Sequence, residues 1–411
     1  MSSTTASNTP RAGLLLRDQD FLRLWCATTA SGLATWAMPF LLGLAVLEGT
    51  LSAVGLGLVL ALRTAGFLVA VPLGGLLADR HSRRSVVLWS GLAAALATPV
   101  MVLGLGASTA LTAAAAIVVG AGQGACRPAF QALTAEVVAE DDRQRANAAI
   151  TLSVRVTTLL GPGAAALLAV VTGAGMLLLA TAGLWLAAAL LPAWGTALPR
   201  REERASFAAE FFDGLTEARH HPWFLAGLGA LAVVITAGYS ATGVLLPLVS
   251  RDQYGTEALL AAAMTAYTAG ALAGAALLSR WRPRNAGWTA LAGLGLYGLA
   301  PLSLVLPLGP VAVLAAYALV GVGIELFNVP WFTAAQREVA PGKLARVSSL
   351  DFLVSYGLAP VGLALIAPAA QVLGTGPVLV GCAVLCFAAP ALAALAPGAR
   401  GFTAPVGRGR I

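Results

Sequence analysis

Five ionisable side chains interrupt apolar runs that are long enough to cross a membrane: Arg63, Arg127, Arg155, Glu325 and Asp351. A charge near the centre of a bilayer costs about 3 kcal/mol on insertion scales, so such groups face the protein interior and mark pathways for ions or solutes. The cations all lie in the first half of the chain and the acids in the second. That distribution predicts a cavity with one positive and one negative wall. At about 1.5 Å of rise per residue, Arg63 and Glu325 fall nearest mid-depth, and Arg127, Arg155 and Asp351 nearer one surface. Glu325 has the chemistry of a proton carrier, because burial favours a neutral carboxyl group, a nearby guanidinium favours the charged form, and alternating exposure switches between them. The competing reading is a permanent ion pair joining the halves, for example with Arg127. Asp351 reads as structural, or as part of a closure near the surface. Arg63 is the leading substrate contact. If two acids neutralise two of three cations, the remainder suits an anionic or zwitterionic amphiphile. Trp36, Tyr239, Phe327, Trp331 and Tyr356 lie where they could stack on it, although each alone is more simply read as packing.

Other chemistries are excluded by what surrounds their candidate residues. Cys26, Cys126, Cys382 and Cys386 sit in apolar runs with no His or acid beside them, so they read as small buried hydrophobes and not as metal ligands or a disulfide scaffold. "GLGLYG" (293–298) fits G-x-G-x-x-G but follows no strand. No P-loop, G-x-S-x-G or H-E-x-x-H stretch is present. The expectation is a non-enzyme with no cofactor and no metal. The arginines form short islands between apolar runs, which argues for membrane topology and against nucleic-acid binding.

The elements that must position these charges are membrane helices. Of 411 residues, 58% are hydrophobic and only 10% charged, against about 25% charged in soluble domains. Cutting the chain at its charged islands leaves twelve runs of about 20 residues or more: 21–47, 52–78, 85–106, 109–133, 147–172, 174–195, 223–249, 257–279, 287–307, 310–335, 347–372 and 375–396. Of the 25 basic residues, 21 fall on one side when the loops alternate, and only Arg251 falls on the other. The positive-inside rule then places both termini in the cytoplasm. Residues 1–20 read as a disordered cytoplasmic tail, 21–195 as one six-helix bundle, 196–222 as a cytoplasmic linker, 223–397 as a second bundle and 398–411 as a cytoplasmic tail. Within the linker, Ala205 to Arg219 can form an amphipathic surface helix or a plain connecting one. His220 and His221 read as solvated loop residues. The halves repeat: "LLADRHSRR" (76–84) matches "ALLSRWRPR" (276–284), and "RPAFQALTAEV" (127–137) matches "VPWFTAAQREV" (329–339). Two repeated halves around a central site suggest a transporter that alternates its access. Gly120-x-x-x-Gly124 and Gly270-x-x-x-Gly274 permit close helix approach.

The stretch "GGLLADRHSRRSVVL" (74–88) carries Gly75, Asp79, Arg80, Arg83 and Arg84 in the spacing G-x-x-x-D-R-x-x-R-R. This resembles the loop signature of the major facilitator superfamily, with Ser82 where glycine is usual. "GQGACRPAFQALTAEVV", "RANAAITLSVRVTTLLGPGAAALL" and "REVAPGKLARVSSLDFLVSYGLAP" resemble the bacterial branch of drug antiporters and siderophore exporters that includes the enterobactin exporter. Gly161 and Pro162 resemble the end of the fifth-helix antiporter motif. The resemblance implies an all-α integral membrane protein of the major facilitator fold. It implies a monomer in a bacterial cytoplasmic membrane that exports a small amphiphile, such as a drug, siderophore or secondary metabolite, in exchange for protons. An importer, an uncoupled facilitator, or a membrane receptor or scaffold that moves no solute are the alternatives. In that fold Asp79 lies near the start of the eleventh span, where a helix N-terminus favours a carboxylate and Ser348 and Ser349 are candidate caps. Arg83 or Arg84 could pair with Glu136. Together these residues would form an inner gate.

Overall fold

The computed structural model describes residues 18–193, 214–254, 258–305 and 309–403, and every regular element among them is helical. Residues 1–17 of the expected 1–20 tail and 404–411 of the expected 398–411 tail lie outside these, as does the linker up to residue 213, whereas Gln19 and Asp20 are helical and Ala399 and Phe402 are buried. The first half contains α1 (Gln19–Leu47), α2 (Ala53–Arg80), α3 (Arg83–Gly104), α4 (Thr109–Val137) and α5 (Arg143–Leu190). The second contains α6 (Pro222–Val233), which passes through a π-helical turn, Val234–Tyr239, into α7 (Ser240–Tyr254). Then come α8 (Ala258–Arg280), α9 (Ala286–Gly295), a 3-10 turn (Leu296–Gly298), α10 (Leu299–Val305), α11 (Pro310–Glu338), α12 (Leu344–Gly357), α13 (Ala359–Leu373) and α14 (Thr375–Ala393). Among the described residues, ten segments are long and apolar enough to cross a membrane by length and composition. The expected spans 147–172 and 347–372 fall on the first limb of α5 and on α12 followed by α13.

Local chemistry sets the boundaries. Side-chain oxygens of Asp18, Ser52, Ser82 and Ser108 accept hydrogen bonds from backbone N–H groups in the first turns of α1, α2, α3 and α4, donors that a helix cannot satisfy itself. Gly173, at φ 76°, turns α5 back on itself, a conformation glycine adopts without steric cost. There the Glu48 carboxylate accepts from the backbone N–H of Ala174 at 2.8 Å, so an acid from the end of α1 caps the second limb of α5.

The two halves are built alike. In the first, α2 and α4 approach so closely that a Cβ on Gly66 would collide with the Ile117 carbonyl, and one on Gly120 with the Arg63 carbonyl. In the second, a Cβ on Gly270 would collide with the Ala318 carbonyl, and one on Gly321 with the Tyr267 carbonyl. These reciprocal contacts fall at nearly the offset that relates the sequence repeats. The "GLGLYG" stretch is likewise a packing feature: Gly293 faces Gly323 on α11, and Gly298 faces the Phe387 ring on α14. Gly120→Val should therefore force α2 and α4 apart and destabilise the protein by about 1–3 kcal/mol, as overpacking does. Thermal unfolding of the purified variant checks this, and an unchanged Tm would contradict it.

One end of the molecule gathers the basic turns. Phe21 at the start of α1 packs on Val138 and Ala146, Arg83 reaches Pro341, Arg282 reaches Asp141, and Arg337 reaches Gly401 and Phe402. At this basic end the halves are clasped together. α12 packs against α2 and α4, whereas α13, beyond the break at Leu358, packs within its own half.

Candidate functional site

The clasp is assembled from the motif residues upward. A Cβ on Gly75 would come within 2.6 Å of the Ala345 carbonyl oxygen and 3.0 Å of Ser349. Its hydrogen therefore lets the start of α12 lie directly on α2. One turn on, buried Asp79 accepts from the backbone N–H and from Nε of Arg346, both at 3.1 Å. The carboxylate thus caps α12 across the boundary between the halves. Ser348 and Ser349, the caps expected from the sequence, lie inside the helix: the N-cap position is Lys343, and the Ser349 hydroxyl donates to the Arg346 carbonyl. Ser82 caps α3 after a turn of only two residues.

The motif arginines have separate tasks. Buried Arg83 pairs with Glu136 at 2.8 Å and donates to the carbonyl of Pro341. It therefore ties the end of α4 to the turn before α12. Arg84 does not share that carboxylate. It donates to the carbonyls of Pro192 at 2.6 Å and Leu190 at 3.2 Å, satisfying the end of α5 as cations near helix C-termini do. Arg80 occupies the last turn of α2.

Arg143 and a group of neutral amides complete the seam. Arg143 donates to the carbonyls of Gln336 and Ala135, at 2.9 and 3.1 Å. The Gln144 amide donates to the carbonyls of Leu278 and Trp281 at the end of α8, at 3.0 and 2.7 Å. Asn147 and Gln336 exchange amide hydrogen bonds, and Gln336 also donates to Gln131. Sequence reasoning missed these groups. The signal available was the placing of several amides next to span ends.

Deeper between the halves, Arg155 Nε meets Glu325 Oε1 at 2.5 Å. Glu325 is fully buried, and the Arg155 side chain is 21% exposed. Its guanidinium lies 5.9 Å from the centre of the Tyr267 ring, a cation–π geometry. The partner of Glu325 is thus Arg155 and not Arg127. Arg155 also lies at the depth of Glu325 and not nearer the surface, because α5 begins at Arg143, roughly 18 Å of helix earlier. Among the described residues, this is the deepest hydrogen bond or ion pair that joins the halves.

Asp351 takes no part in the clasp. It is buried and accepts from the Trp331 indole at 3.0 Å. Trp331 and Phe327 stack in an aromatic core with Phe224, so they do not face a substrate path. Tyr356 contacts Phe67 across the boundary, with centroids 4.8 Å apart. Tyr239 is half exposed, and Trp36 is half-buried. Arg63 donates to the Gln123 side chain at 2.7 Å and to the Thr35 carbonyl at 3.3 Å. Gly161 lies inside α5, as does the backbone of Pro162. Arg127 sits one turn after Gln123 on α4.

Comparison with known proteins agrees with this architecture. The Major Facilitator Superfamily matches residues 24–363. No curated protein matches the sequence significantly. The human organic anion transporter MFSD10 superposes with a TM-score of 0.75 at 16% identity, covering 91% of this chain and 99% of its own. A bacterial homologue of the iron transporter ferroportin, in an outward-facing state, gives 0.72 at 16% identity, with 91% and 96% covered. The E. coli fucose:proton symporter gives 0.70 at 15% identity, with 91% and 97% covered. At these identities the likeness establishes the fold alone.

Proposed function

Since the chain belongs to the Major Facilitator Superfamily, and is on that account a secondary transporter working by alternating access, we propose that it exports a small amphiphilic molecule in exchange for protons. The observation that carries this reading is the ion pair between Arg155 and Glu325. Its members belong to opposite halves, so separating the halves at the basic end must break it. A carboxylate deprived of its guanidinium in apolar surroundings takes up a proton. Protonation of Glu325 from the open side would release Arg155 and let the clasp part. Loss of that proton on the other side would restore the charge. Each cycle then carries a proton inward, and the return stroke carries substrate outward.

In this reading the basic end faces the cytoplasm of a bacterium, both termini lie there, and residues 21–195 and 223–397 are the two bundles of a twelve-span monomer. The clasp of Asp79, Arg346, Arg83 and Glu136 is the inner gate, and the conformation described is outward-facing. The resemblance to the drug and siderophore exporter branch supports the direction. Asp351, held by Trp331, is a second candidate for proton coupling.

Inverted membrane vesicles test the proposal. A panel of siderophores and antibiotics should contain a substrate that accumulates inside vesicles acidified by respiration, and a protonophore should abolish the accumulation. Accumulation indifferent to the gradient would favour a facilitator. Movement only toward the cytoplasmic face would favour an importer. Either result would overturn proton-driven export.

A further inference from the structure

We propose that Arg63 and Arg127, spanned by Gln123, hold the anionic group of the transported molecule, which is accordingly an organic anion bearing a carboxylate, sulfonate or phosphate. This inference rests on the transporter reading and adds to it the charge of the cargo and the place where that charge is held.

Three observations lead there. First, the two guanidinium groups share one neighbourhood. Arg63 donates to Gln123, and Arg127 follows Gln123 by four residues on α4. Side chains at that spacing share a helix face, about 5–6 Å apart at Cβ. Gly120 and Gly124 press the backbone of α4 against the carbonyls of Arg63 and Phe67, so the two helices that carry the arginines are in backbone contact.

Second, the donors outnumber the acceptors. Nε of Arg63, and both Nε and Nη2 of Arg127, are buried without a hydrogen-bond partner in the protein. Buried polar atoms of this kind are rare in native structures, and each calls for a reason.

Third, the buried carboxylates are spoken for. Glu325 holds Arg155, Asp351 holds Trp331, Asp79 holds Arg346, and Glu136 holds Arg83. Among the described residues, no acid pairs with Arg63 or Arg127. Two like charges within the spans are costly, and an oxyanion seated between them relieves the repulsion and satisfies the free N–H groups. Planar guanidinium groups grip carboxylate, sulfonate and phosphate oxygens in bidentate fashion. Because Arg155 is neutralised by Glu325, one anionic group suffices.

The test uses the full-length protein in phosphatidylcholine nanodiscs and four probes with one apolar body: 2-naphthoate, naphthalene-2-sulfonate, 2-naphthalenemethanol and 2-naphthylmethylammonium. Calorimetric titration should show the two anions binding at least about tenfold more tightly than the alcohol or the cation, the ratio of one lost charge-assisted contact. Arg127→Gln, and Arg63→Gln with it, should remove that preference. Arg127→Lys should keep the preference for anions at reduced affinity, which a merely structural arginine would not predict. If the glutamine variants do not fold, the lysine variant and the probe series still decide the matter. Equal binding of anion and cation, or wild-type anion affinity in the folded double variant, would overturn the assignment. Nanodiscs containing phosphatidylglycerol separate cargo from lipid: unchanged naphthoate affinity supports a soluble anion, and its abolition would assign the site to a lipid headgroup instead. No pH gradient enters these measurements. Failure of proton-driven export with anion binding intact therefore sinks the coupling reading alone.

Discussion

Replacing Glu325 with glutamine should leave exchange of substrate across the membrane measurable but remove its response to a pH gradient. The side chain keeps its shape and loses the proton. The same change leaves Arg155 without its counter-charge, and breaking a buried pair in this way costs about 3–5 kcal/mol, discounted here because the Arg155 side chain is one-fifth exposed. A fall in stability alone would therefore not identify a proton carrier. The double variant Glu325→Gln with Arg155→Met separates the two roles. It should recover thermal stability toward the wild type, since no charge is left unpaired, and should still fail to couple flux to the gradient. Flux in proteoliposomes, with and without an imposed gradient, checks this. A stable double variant that still accelerates with the gradient would show that Glu325 does not carry the proton.

The second large effect is expected at Asp79. Asp79→Ala removes two hydrogen bonds to Arg346 and the negative charge at the start of α12. Hydrogen bonds to charged groups contribute about 1.5–3 kcal/mol, so the population with the basic end open should rise by about tenfold or more. Asp79→Asn, which keeps an acceptor, should show a smaller shift. A cysteine at Gln131, inside the seam, reports the opening in a background where Cys26, Cys126, Cys382 and Cys386 are replaced. Its modification by a soluble thiol reagent should accelerate in the Asp79 variants, while membrane insertion is unaltered. Equal modification rates together with unchanged transport would mean that Asp79 does not hold the gate.

Much of this architecture could be read from residue types. Charged islands between apolar runs mark the turns, because a basic loop and an apolar helix differ in composition over many residues. The motif at Gly75 and Asp79 was legible because its parts are adjacent in sequence. What was not legible depends on rotation and register. Arg155 was placed too near the surface because the start of α5 at Arg143 could not be fixed within a turn, and one turn decides whether Arg155 or Arg127 meets Glu325. Arg84 and Arg83 are neighbours, yet successive side chains on a helix point about 100° apart, so one faces Glu136 and the other the end of α5. The amides of Gln131, Gln144, Asn147 and Gln336 carry no charge to betray them. Phe327 and Trp331 lie on the face of α11 turned toward Phe224, and that face could not be told from its opposite in a helix apolar all round.

The reciprocal glycines have a mechanical consequence. Where a backbone carbonyl of one helix rests where a neighbour's side chain would be, the two helices cannot slide or roll past each other without opening a gap that lipid or water must fill. α2 with α4, and α8 with α11, therefore behave as stiff double rods. Among the described residues, the joints between such rods include the break at Leu358 between α12 and α13, the π-helical turn between α6 and α7, and the seam of amides and ion pairs at the basic end. In the exchange proposed above, Asp79 moves with the first rod and Glu325 with the second, so parting the rods strains the clasp and the Arg155 pair together. In that exchange, parting the clasp at Asp79 and separating Arg155 from Glu325 would be one motion, felt at two distances from its pivot.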